Sequence, residues 1–262
     1  MRVFGFSVKP FVIGMVHVGP LPSTPLGSGT SLNDVIENAV RDARALEEGG
    51  VDGIMVENFY DTPYPKDVAD PATVASMTLI TREVMRSVSV PVGVNILRNC
   101  GLQALAVAHV CGASFIRVNA LSEAVVSDQG ILEPIAYELM RYRRYLRSQV
   151  AVFADVHVKH AAPLAWRPPE LVARETVERG GADAVIVSGA KTGAPPDVKE
   201  VEVVKNAVKV PVIIGSGTTP ENVRELLSVA DGAIVGTYFK EGGRVSVGRV
   251  EKLMSVVKSL RR

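Results

Sequence analysis

The sequence predicts an α/β protein whose parallel sheet closes into a single (β/α)8 barrel, the TIM-barrel fold, as one domain over residues 1–262. Short runs rich in valine and isoleucine alternate with segments of helical periodicity from one end of the chain to the other. The runs are almost continuously apolar, as expected for strands that are covered on both faces. Eight strands and eight helices, with no Gly/Ser linker and no shift in composition, favour one closed barrel over a doubly wound sheet.

Each predicted strand is one of these apolar runs. In chain order the strands are residues 11–16 (FVIGMV), 53–56 (GIMV), 91–95 (PVGVN), 115–118 (FIRV), 150–156 (VAVFADV), 184–188 (AVIVS), 210–215 (VPVIIG) and 232–235 (GAIV). The helix-period segments between them predict helices over residues 33–48, 71–87, 102–109, 131–148, 169–179, 198–207, 220–228 and 249–260.

Several helices end in the same kind of sequence, "EEGGVDGI", "HVCGASFI" and "ERGGADAV". In each, a glycine stands where the helix must stop in a left-handed conformation, and a strand follows after a small or acidic residue. The longest connections, residues 18–32, 58–70, 119–130 and 157–168, all follow strands. In a barrel, such loops build the active face.

Composition narrows the class of function. The chain is 47% hydrophobic and 22% charged, with a formal net charge of +1 and no basic run, which argues against nucleic acid as a partner. We find neither an apolar run long enough to span a bilayer nor a signal-peptide pattern, so we expect a cytoplasmic protein. Cys100 and Cys111 are too few and too widely spaced for a zinc knuckle or a disulfide framework. The sequence leaves open whether the protein forms a homo-oligomer.

Polar residues gather where the predicted strands end. Barrel enzymes assemble their catalytic groups from the carboxyl ends of several strands, so this recurrence predicts a common site. A single such residue is more often a cap or a loop ion pair; the repetition is what carries the prediction. In strand order the residues are His17; Glu57 and Asn58; Asn95, Arg98 and Asn99; Arg117 and Asn119; Asp155, His157, Lys159 and His160; and Ser188.

The fifth strand carries the densest group. If it extends to Lys159, its period of two directs Asp155, His157 and Lys159 to one face. An Asp and a Lys on one cavity wall tune each other for proton transfer or for a Schiff base, and His157 could carry a proton. We therefore take Asp155, His157 and Lys159, with Glu57 as second carboxylate and His17, as the catalytic candidates.

The other polar residues at the strand ends are expected to bind and orient the substrate. A metal site stays open as the alternative, since His17, Glu57, Asp155 and His157 carry oxygen and nitrogen ligands. No close ligand motif such as H-x-x-x-H supports it, so no cofactor and no metal site are predicted.

Two glycine-bearing loops near the C-terminus predict a phosphate site. "IGSGTTPENVREL" follows the seventh strand with Gly215, Ser216 and Gly217, and "DGAIVGTYFK" follows the eighth with Gly236 and Thr237. Bare glycines let backbone N–H groups approach an anion, and paired loops after strands seven and eight are the usual phosphate grip of this barrel class. The expected ligand is a small phosphorylated metabolite.

The loop after the sixth strand, "VSGAKTGAPP", is interpreted as a lid or substrate clamp. It supplies Ser188, Thr192 and Gly193, which with Asn58, Asn95, Arg98, Asn99, Arg117, Asn119 and His160 make up the predicted substrate-binding set. An ordinary surface loop is the alternative for this segment.

Together the motifs resemble the BtpA/SgcQ family over nearly the whole chain. The motifs are "IGMVHVGPLPSTP", "DGIMVENFYDTPY", "PVGVNILRNC", "SFIRVNAL", "DQGIL", "ADVHVKHAAPL", "DAVIVSGAKTG", "IGSGTTPENV" and "GAIVGTYFK". The resemblance implies a TIM barrel of the phosphate-binding kind. It also implies that the signature positions include Asp61 together with most of the polar residues named above and the loop 215–217. The first loop departs from the family, since it reads "HVGPLPSTP" where a Pro-Pro-Leu-Pro-Gly type run is more usual.

The resemblance leads to two classes of function. The family's cyanobacterial founder is described as a factor for photosystem I biogenesis, related bacterial proteins sit among phosphosugar functions, and archaeal members are often labelled phosphoribosylanthranilate isomerases. That isomerase uses a Cys base after strand one and an Asp acid after strand six, where this chain has His17 and Ser188. We therefore expect an isomerase, epimerase or lyase of a phosphosugar that uses other groups, with a non-catalytic assembly or stability factor as the alternative.

Overall fold

The computed structural model describes residues 4–189 and 192–261, and its central feature is a closed barrel of eight parallel strands. Strands are numbered in chain order. The barrel strands are β1 (Phe11–His17), β2 (Gly53–Glu57), β3 (Val92–Asn95), β4 (Phe115–Val118), β7 (Ala151–Val156), β9 (Ala184–Val187), β10 (Val212–Ile214) and β11 (Gly232–Val235). Each pairs in parallel with the next, and β11 returns to β1 through a register that joins Phe11 to Gly232. The predicted TIM-barrel fold is confirmed.

In the described residues, seven α-helices connect successive barrel strands and an eighth follows β11. They are α1 (Leu32–Glu48), α2 (Pro71–Ser87), α3 (Gly101–Cys111), α4 (Ala136–Tyr145), α5 (Pro169–Glu178), α6 (Val198–Ala207), α7 (Val223–Val229) and α8 (Val247–Lys258). Local chemistry fixes several ends: the Asp70 carboxylate accepts from the N–H groups of Ala72 and Thr73, and Gly112 ends α3 at φ 82°. Within the described residues, no helix is long and apolar enough to cross a membrane.

Apolar residues fill the amino end of the barrel and leave its carboxyl end open. Phe115 stacks on Phe153 inside the ring, with centroids 4.7 Å apart, and Phe6 stacks on Phe11 below it. A Cβ on Gly93 would lie 2.1 Å from the Phe115 ring, so this glycine makes room for the aromatic layer. Alternate strand residues face outward and pack against the helices as a second core. The polar residues Glu57, Asn95, Arg117 and Asp155 lie at or near the carboxyl ends of their strands.

The prediction of a helix over residues 131–148 is wrong at its start. Gly130–Leu132 forms β6, which pairs with β5 (Val125–Ser127), and β5 pairs in turn with β8 (Ala161–Pro163). We call these three strands the outer sheet. Leu132 is buried and Ile131 exposed, so the apolar pair alternates across a strand instead of lining a helix. Pro134 disfavours a helical residue before it, and α4 begins only at Ala136.

Smaller differences lie at other ends. The fifth barrel strand ends at Val156, as predicted, so the extension to Lys159 on which the alternation depended is not formed. Helix α7 begins at Val223, three residues later than predicted. A short hairpin of β12 (Lys240–Glu241) and β13 (Arg244–Val245) precedes α8. Two 3-10 turns, Pro25–Gly27 and Thr237–Phe239, complete the described elements.

Candidate active site

A cavity of about 490 Å³ opens at the carboxyl end of the barrel, and we call it the rim cavity. It contains both glycine loops and most of the polar residues at the strand ends. Of the predicted site residues, those that line it are His17, Glu57, Asn95, Arg98, Arg117, Asn119, Lys159, His160, Thr192, Gly193, Gly215, Ser216, Gly217, Gly236 and Thr237. Every barrel strand contributes directly or through the loop that follows it, so closure of the ring is what assembles the site.

The loop after β10 is held rigidly by hydrogen bonds and close packing. Ser216 Oγ accepts from the Gly189 N–H at 3.2 Å and donates to the Ala194 carbonyl at 2.8 Å. Gly217 has φ 72°, and a Cβ there would lie 2.1 Å from the Pro195 nitrogen. Within residues 4–189 and 192–261, the N–H groups of Ser216 and Gly217 have no acceptor.

The second glycine loop lies against the end of β1. A Cβ on Gly236 would approach the His17 ring at 3.1 Å, so a larger residue would push into the imidazole. Thr237 follows Gly236, lines the cavity and is exposed to solvent. The two loops therefore share one wall with His17.

His17 and Glu57 form a polar pair next to that wall. His17 Nε2 lies 3.9 Å from Glu57 Oε1, and Asn95 Nδ2 donates to Glu57 Oε2 at 2.5 Å. The His17 ring stacks on Phe59 with centroids 4.2 Å apart. Burial, reinforced by the positive charges of Lys240 and Lys159, holds the pKa of His17 well below its usual range. His17 is therefore a neutral imidazole at pH 7.

Arg117, Asp155 and Asn119 form a buried network on the opposite side. Arg117 donates to both Asp155 oxygens, through Nε at 3.0 Å and Nη2 at 2.7 Å, and Asn119 Nδ2 donates to Oδ2 at 2.7 Å. Burial opposes the Arg117 charge, but the Asp155 carboxylate outweighs burial and raises the pKa of Arg117. Asp155 does not reach the cavity wall, so its position is that of an anchor for Arg117 and Asn119.

Lys159 projects into the rim cavity from the loop after β7. Burial, with the nearby Arg117 charge, lowers the pKa of its amine to about 8, against the opposing pull of Glu57 and Asp155. Roughly a tenth of the amine is then neutral at pH 7. Arg98 Nη2 donates to the Lys159 carbonyl at 2.5 Å, which fixes the backbone that carries the amine.

In the described residues, the loop after β9 meets this segment where Thr192 contacts His160. The Thr192 N–H donates to His160 Nε2 at 3.2 Å, and Thr192 Oγ1 lies 2.8 Å from the same nitrogen. Burial, together with Arg98 and Lys159, lowers the pKa of His160, which suits its role as an acceptor. Thr192 and Gly193 thus border the cavity as predicted, whereas Ala190 and Lys191 of the same motif lie outside the described residues.

His157 lies outside the rim cavity, because the alternation that would direct it inward required the fifth strand to extend to Lys159. Because the strand ends at Val156 and His157 takes φ 54°, the ring turns outward. Its Nε2 lies 3.1 Å from the Arg167 carbonyl and its Nδ1 lies 3.6 Å from Glu200 Oε1. The contact with the Glu200 carboxylate, against burial, raises the pKa of His157. A proton shuttle inside the cavity does not fit this position.

Three predicted substrate-binding residues, Asn58, Asn99 and Ser188, lie behind the cavity wall and contact other parts of the protein. Asn58 Oδ1 accepts from the Leu97 N–H at 2.8 Å, and its Nδ2 donates to Asp61 at 3.2 Å. Asn99 exchanges hydrogen bonds with the Ala120 backbone. Ser188 is buried beside Gly215, where a Cβ would lie 2.2 Å from its hydroxyl.

Sequence reasoning misses several lining residues. They are the apolar Met15, Leu97 and Ile234, the aromatic Phe59 and Tyr64, and Asp128. Asp128 reaches the site only because the outer sheet folds back over the barrel mouth, where the sequence predicts a loop and a helix. Phe59 and Tyr64 lie in the quoted motif "ENFYDTPY", so that signal is present in the sequence.

The four residues considered as metal ligands from the sequence, His17, Glu57, Asp155 and His157, do not lie together in the structure. His157 faces Glu200, and Asp155 is held by Arg117 and Asn119, which leaves His17 and Glu57. Among the residues that the structure describes, no three His, Cys, Asp or Glu side chains lie close enough to share a metal ion.

Comparison with known proteins identifies the family of this chain. The model of the BtpA family matches residues 8–259, which is almost the entire barrel. The chain belongs to the BtpA family. A BtpA relative from Thermococcus kodakarensis, described as an uncharacterised protein, is 50% identical over 98% of both chains. The photosystem I biogenesis protein BtpA of Synechocystis is 48% identical over 92% of this chain and 84% of its own.

Solved structures show the same fold at low sequence identity. N-(5'-phosphoribosyl)anthranilate isomerase from Pyrococcus furiosus superposes with a TM-score of 0.59 at 16% identity, over 95% of this chain and 98% of that one. Likeness at this identity concerns the architecture of the barrel alone.

Proposed function

We propose that this BtpA-family barrel is an enzyme that binds a small phosphorylated metabolite, such as a phosphosugar, and isomerises, epimerises or cleaves it. The observation that carries the proposal is that Lys159 faces the same cavity as the loops at Gly217 and Gly236. An anion cradle and a partly neutral amine in one enclosed space suit a substrate with a phosphate at one end and a reacting carbon at the other.

The phosphate is proposed to lie on the glycine loops. The N–H groups of Ser216 and Gly217, which have no acceptor among the described residues, and the side chain of exposed Thr237 would supply donors to its oxygens. The close packing of Gly217 on Pro195 supports a preformed cradle, because it leaves the loop little room to rearrange.

The reacting end of the substrate would face the ionisable groups. Lys159 is the proposed base or amine, and Glu57, held by Asn95, is the second group able to move a proton. Neutral His17 can donate a hydrogen bond to a developing oxyanion or accept one from a hydroxyl. Arg98 and Arg117 would orient polar substituents from the wall.

The acid and base of phosphoribosylanthranilate isomerase are not reproduced in this site. His17 stands at the end of the first strand, and the Ser188 hydroxyl is buried behind Gly215. Cys100 is also buried, which raises the pKa of its thiol to about 12 and makes it a poor base. The proposal therefore rests on Lys159, Glu57 and His17 instead.

Phosphate binding is tested by placing a negative charge in the cradle. Thr237 is exposed, so Thr237→Asp should fold normally and weaken binding of inorganic phosphate and sugar phosphates by roughly tenfold or more through charge repulsion. Thr237→Val is the matched control, because it keeps the shape without the charge. Isothermal calorimetry and thermal shift measure the effect. Equal affinities for the wild type and Thr237→Asp would rule out this cradle.

A second candidate is the non-catalytic assembly factor suggested by the name of the Synechocystis relative. One observation favours it: the outer sheet exposes apolar side chains, with Val126 paired across strands to Ile131 and Leu164 58% exposed nearby. In a deletion strain of the source organism, Ile131→Ser with Leu164→Ser would then abolish function while Thr237→Asp would preserve it. The enzyme proposal expects the reverse.

A further inference from the structure

We infer that Lys159 forms an imine with the carbonyl carbon of a phosphorylated aldehyde or ketone held in the rim cavity. The inference rests on the proposed function for the phosphate and deepens it by naming the substrate class. It assigns to this lysine a covalent role in place of simple proton transfer.

The first support is the placement of the amine. Lys159 lines the rim cavity, and its backbone is fixed from two sides, by the Arg98 hydrogen bond to its carbonyl and by the buried side chain of Val158. In the part of the chain that the structure describes, the amine has no hydrogen-bond partner, and no carboxylate oxygen lies within 4 Å of it. An amine that is neither paired nor turned to bulk solvent can approach a carbonyl carbon.

The second support is a comparison with Lys240. Burial lowers the pKa of both amines to about 8, so the two lysines have similar neutral fractions. Lys240 Nζ, however, donates to the Met15 carbonyl at 3.0 Å, and Lys240 does not line the cavity. Among the described residues, Lys159 is thus the lysine that combines a depressed basicity with access to the ligand space. Lys240 provides an internal control.

The third support is a hydrogen-bond acceptor in the cavity wall that could bind the product of this reaction. Asn119 lines the cavity, and its Oδ1 is buried without a donor among the residues that the structure describes. Such an acceptor carries a desolvation cost that a new N–H or O–H group would relieve. The hydroxyl of a carbinolamine or the N–H of a protonated imine supplies that donor.

The chemistry balances without an oxidant or a metal. The neutral Lys159 amine attacks the carbonyl carbon, one N–H proton passes to the oxygen, and a carbinolamine forms. A second proton transfer from nitrogen to the hydroxyl lets water leave as the nitrogen lone pair closes the C=N bond. Carbonyl and amine thus give imine and one water. Protonation of the imine nitrogen from solvent makes it an electron sink for loss of an α-proton or cleavage of a neighbouring C–C bond.

The test is reductive trapping. The full chain is incubated with glyceraldehyde 3-phosphate or dihydroxyacetone phosphate and sodium cyanoborohydride, which reduces an imine to a stable secondary amine. Peptide mass mapping should find the adduct on Lys159 and not on Lys240. Lys159→Met should lose the adduct, Lys240→Met should retain it, and Thr237→Asp should diminish it.

The outcomes separate the inference from the proposed function. Binding of sugar phosphates by the wild type without an adduct on Lys159 overturns the imine and leaves phosphate binding intact. Absence of any sugar-phosphate binding removes both. Adducts spread equally over Lys159 and Lys240 also overturn the inference, because amine basicity would then be sufficient without the cavity. Thermal melts of both lysine variants confirm that a lost adduct does not reflect unfolding.

Discussion

At the residue scale, the lowered basicity of Lys159 has a cost in stability. The pKa of its amine is about 8 in the folded protein and 10.5 for a free lysine side chain, so between these pH values the unfolded chain holds an extra proton. The free energy of unfolding therefore rises with pH across that window, and below it the full penalty is present.

Replacing Lys159 by methionine should therefore stabilise the protein. We expect a gain of up to about 3 kcal/mol at pH 7 that disappears above the pKa of the free amine. Lys240→Met is the control, and its gain should be smaller, because that variant also loses the hydrogen bond to the Met15 carbonyl. Urea denaturation at a series of pH values measures both. A destabilised Lys159→Met at pH 7 would show that the amine is paired in the folded state.

The pH profile of any reaction supplies a second prediction at this scale. Because Lys159 must be neutral to act as amine or base, turnover should rise about tenfold for each pH unit toward about 8 and then level off. Because the pKa of His17 is held well below its usual range, His17 should add no inflection near pH 6.5. Rates measured between about pH 5.5 and 9.5 test this, and a profile that falls with rising pH would exclude Lys159 from the role.

At the element scale, the segment that carries Lys159 is anchored from outside the barrel. His157 precedes it and faces Glu200 of α6, Glu123 of the loop after β4 and the Arg167 carbonyl. The ion pair with Glu200 raises the pKa of His157, so this contribution to stability is complete below the unfolded pKa of about 6.5 and is lost as pH rises through the folded value.

His157→Gln should remove that pH-dependent contribution. The expected loss is roughly 0.5–1 kcal/mol at pH 6 and near zero at pH 9, because the residue is partly exposed. Glu200→Gln should produce the same change, and the double variant should add little to either. Independent, additive losses would indicate that the pair does not act together.

The sequence predicts a feature reliably where only one local structure suits the residues present. Gly217 is marked directly by its residue type, because only glycine takes φ 72° so close to Pro195 without strain. The barrel strands are marked by their nearly continuous apolar runs, because such a run fits a strand that is covered on both faces. The turn at His157 cannot, because non-glycine residues rarely take positive φ and no pattern marks it. The positive φ of His157 turns its side chain out of the site. The outer sheet, and with it Asp128, escapes prediction because short apolar pairs fit strand and helix equally.

At the scale of the whole molecule, the aromatic core and the candidate site lie at opposite ends of the barrel. Phe115 and Phe153 fill the amino end, and the rim cavity opens at the carboxyl end. Phe115→Ala should therefore cost about 3–5 kcal/mol of unfolding free energy while leaving the affinity for phosphate unchanged below the melting temperature. Tyr145→Ala, at an exposed position, should cost less than about 0.5 kcal/mol. Loss of phosphate affinity in folded Phe115→Ala would show that the two ends are coupled.

One cavity must bring the glycine loops and Lys159 to the same ligand if the proposed chemistry is to occur. A crystal structure of the protein soaked with dihydroxyacetone phosphate tests this most directly. We predict phosphate oxygens on the N–H groups of Ser216 and Gly217 and the carbonyl carbon at Lys159 Nζ. A phosphate bound elsewhere, or one on the loops with its carbonyl turned away from Lys159, would contradict this arrangement.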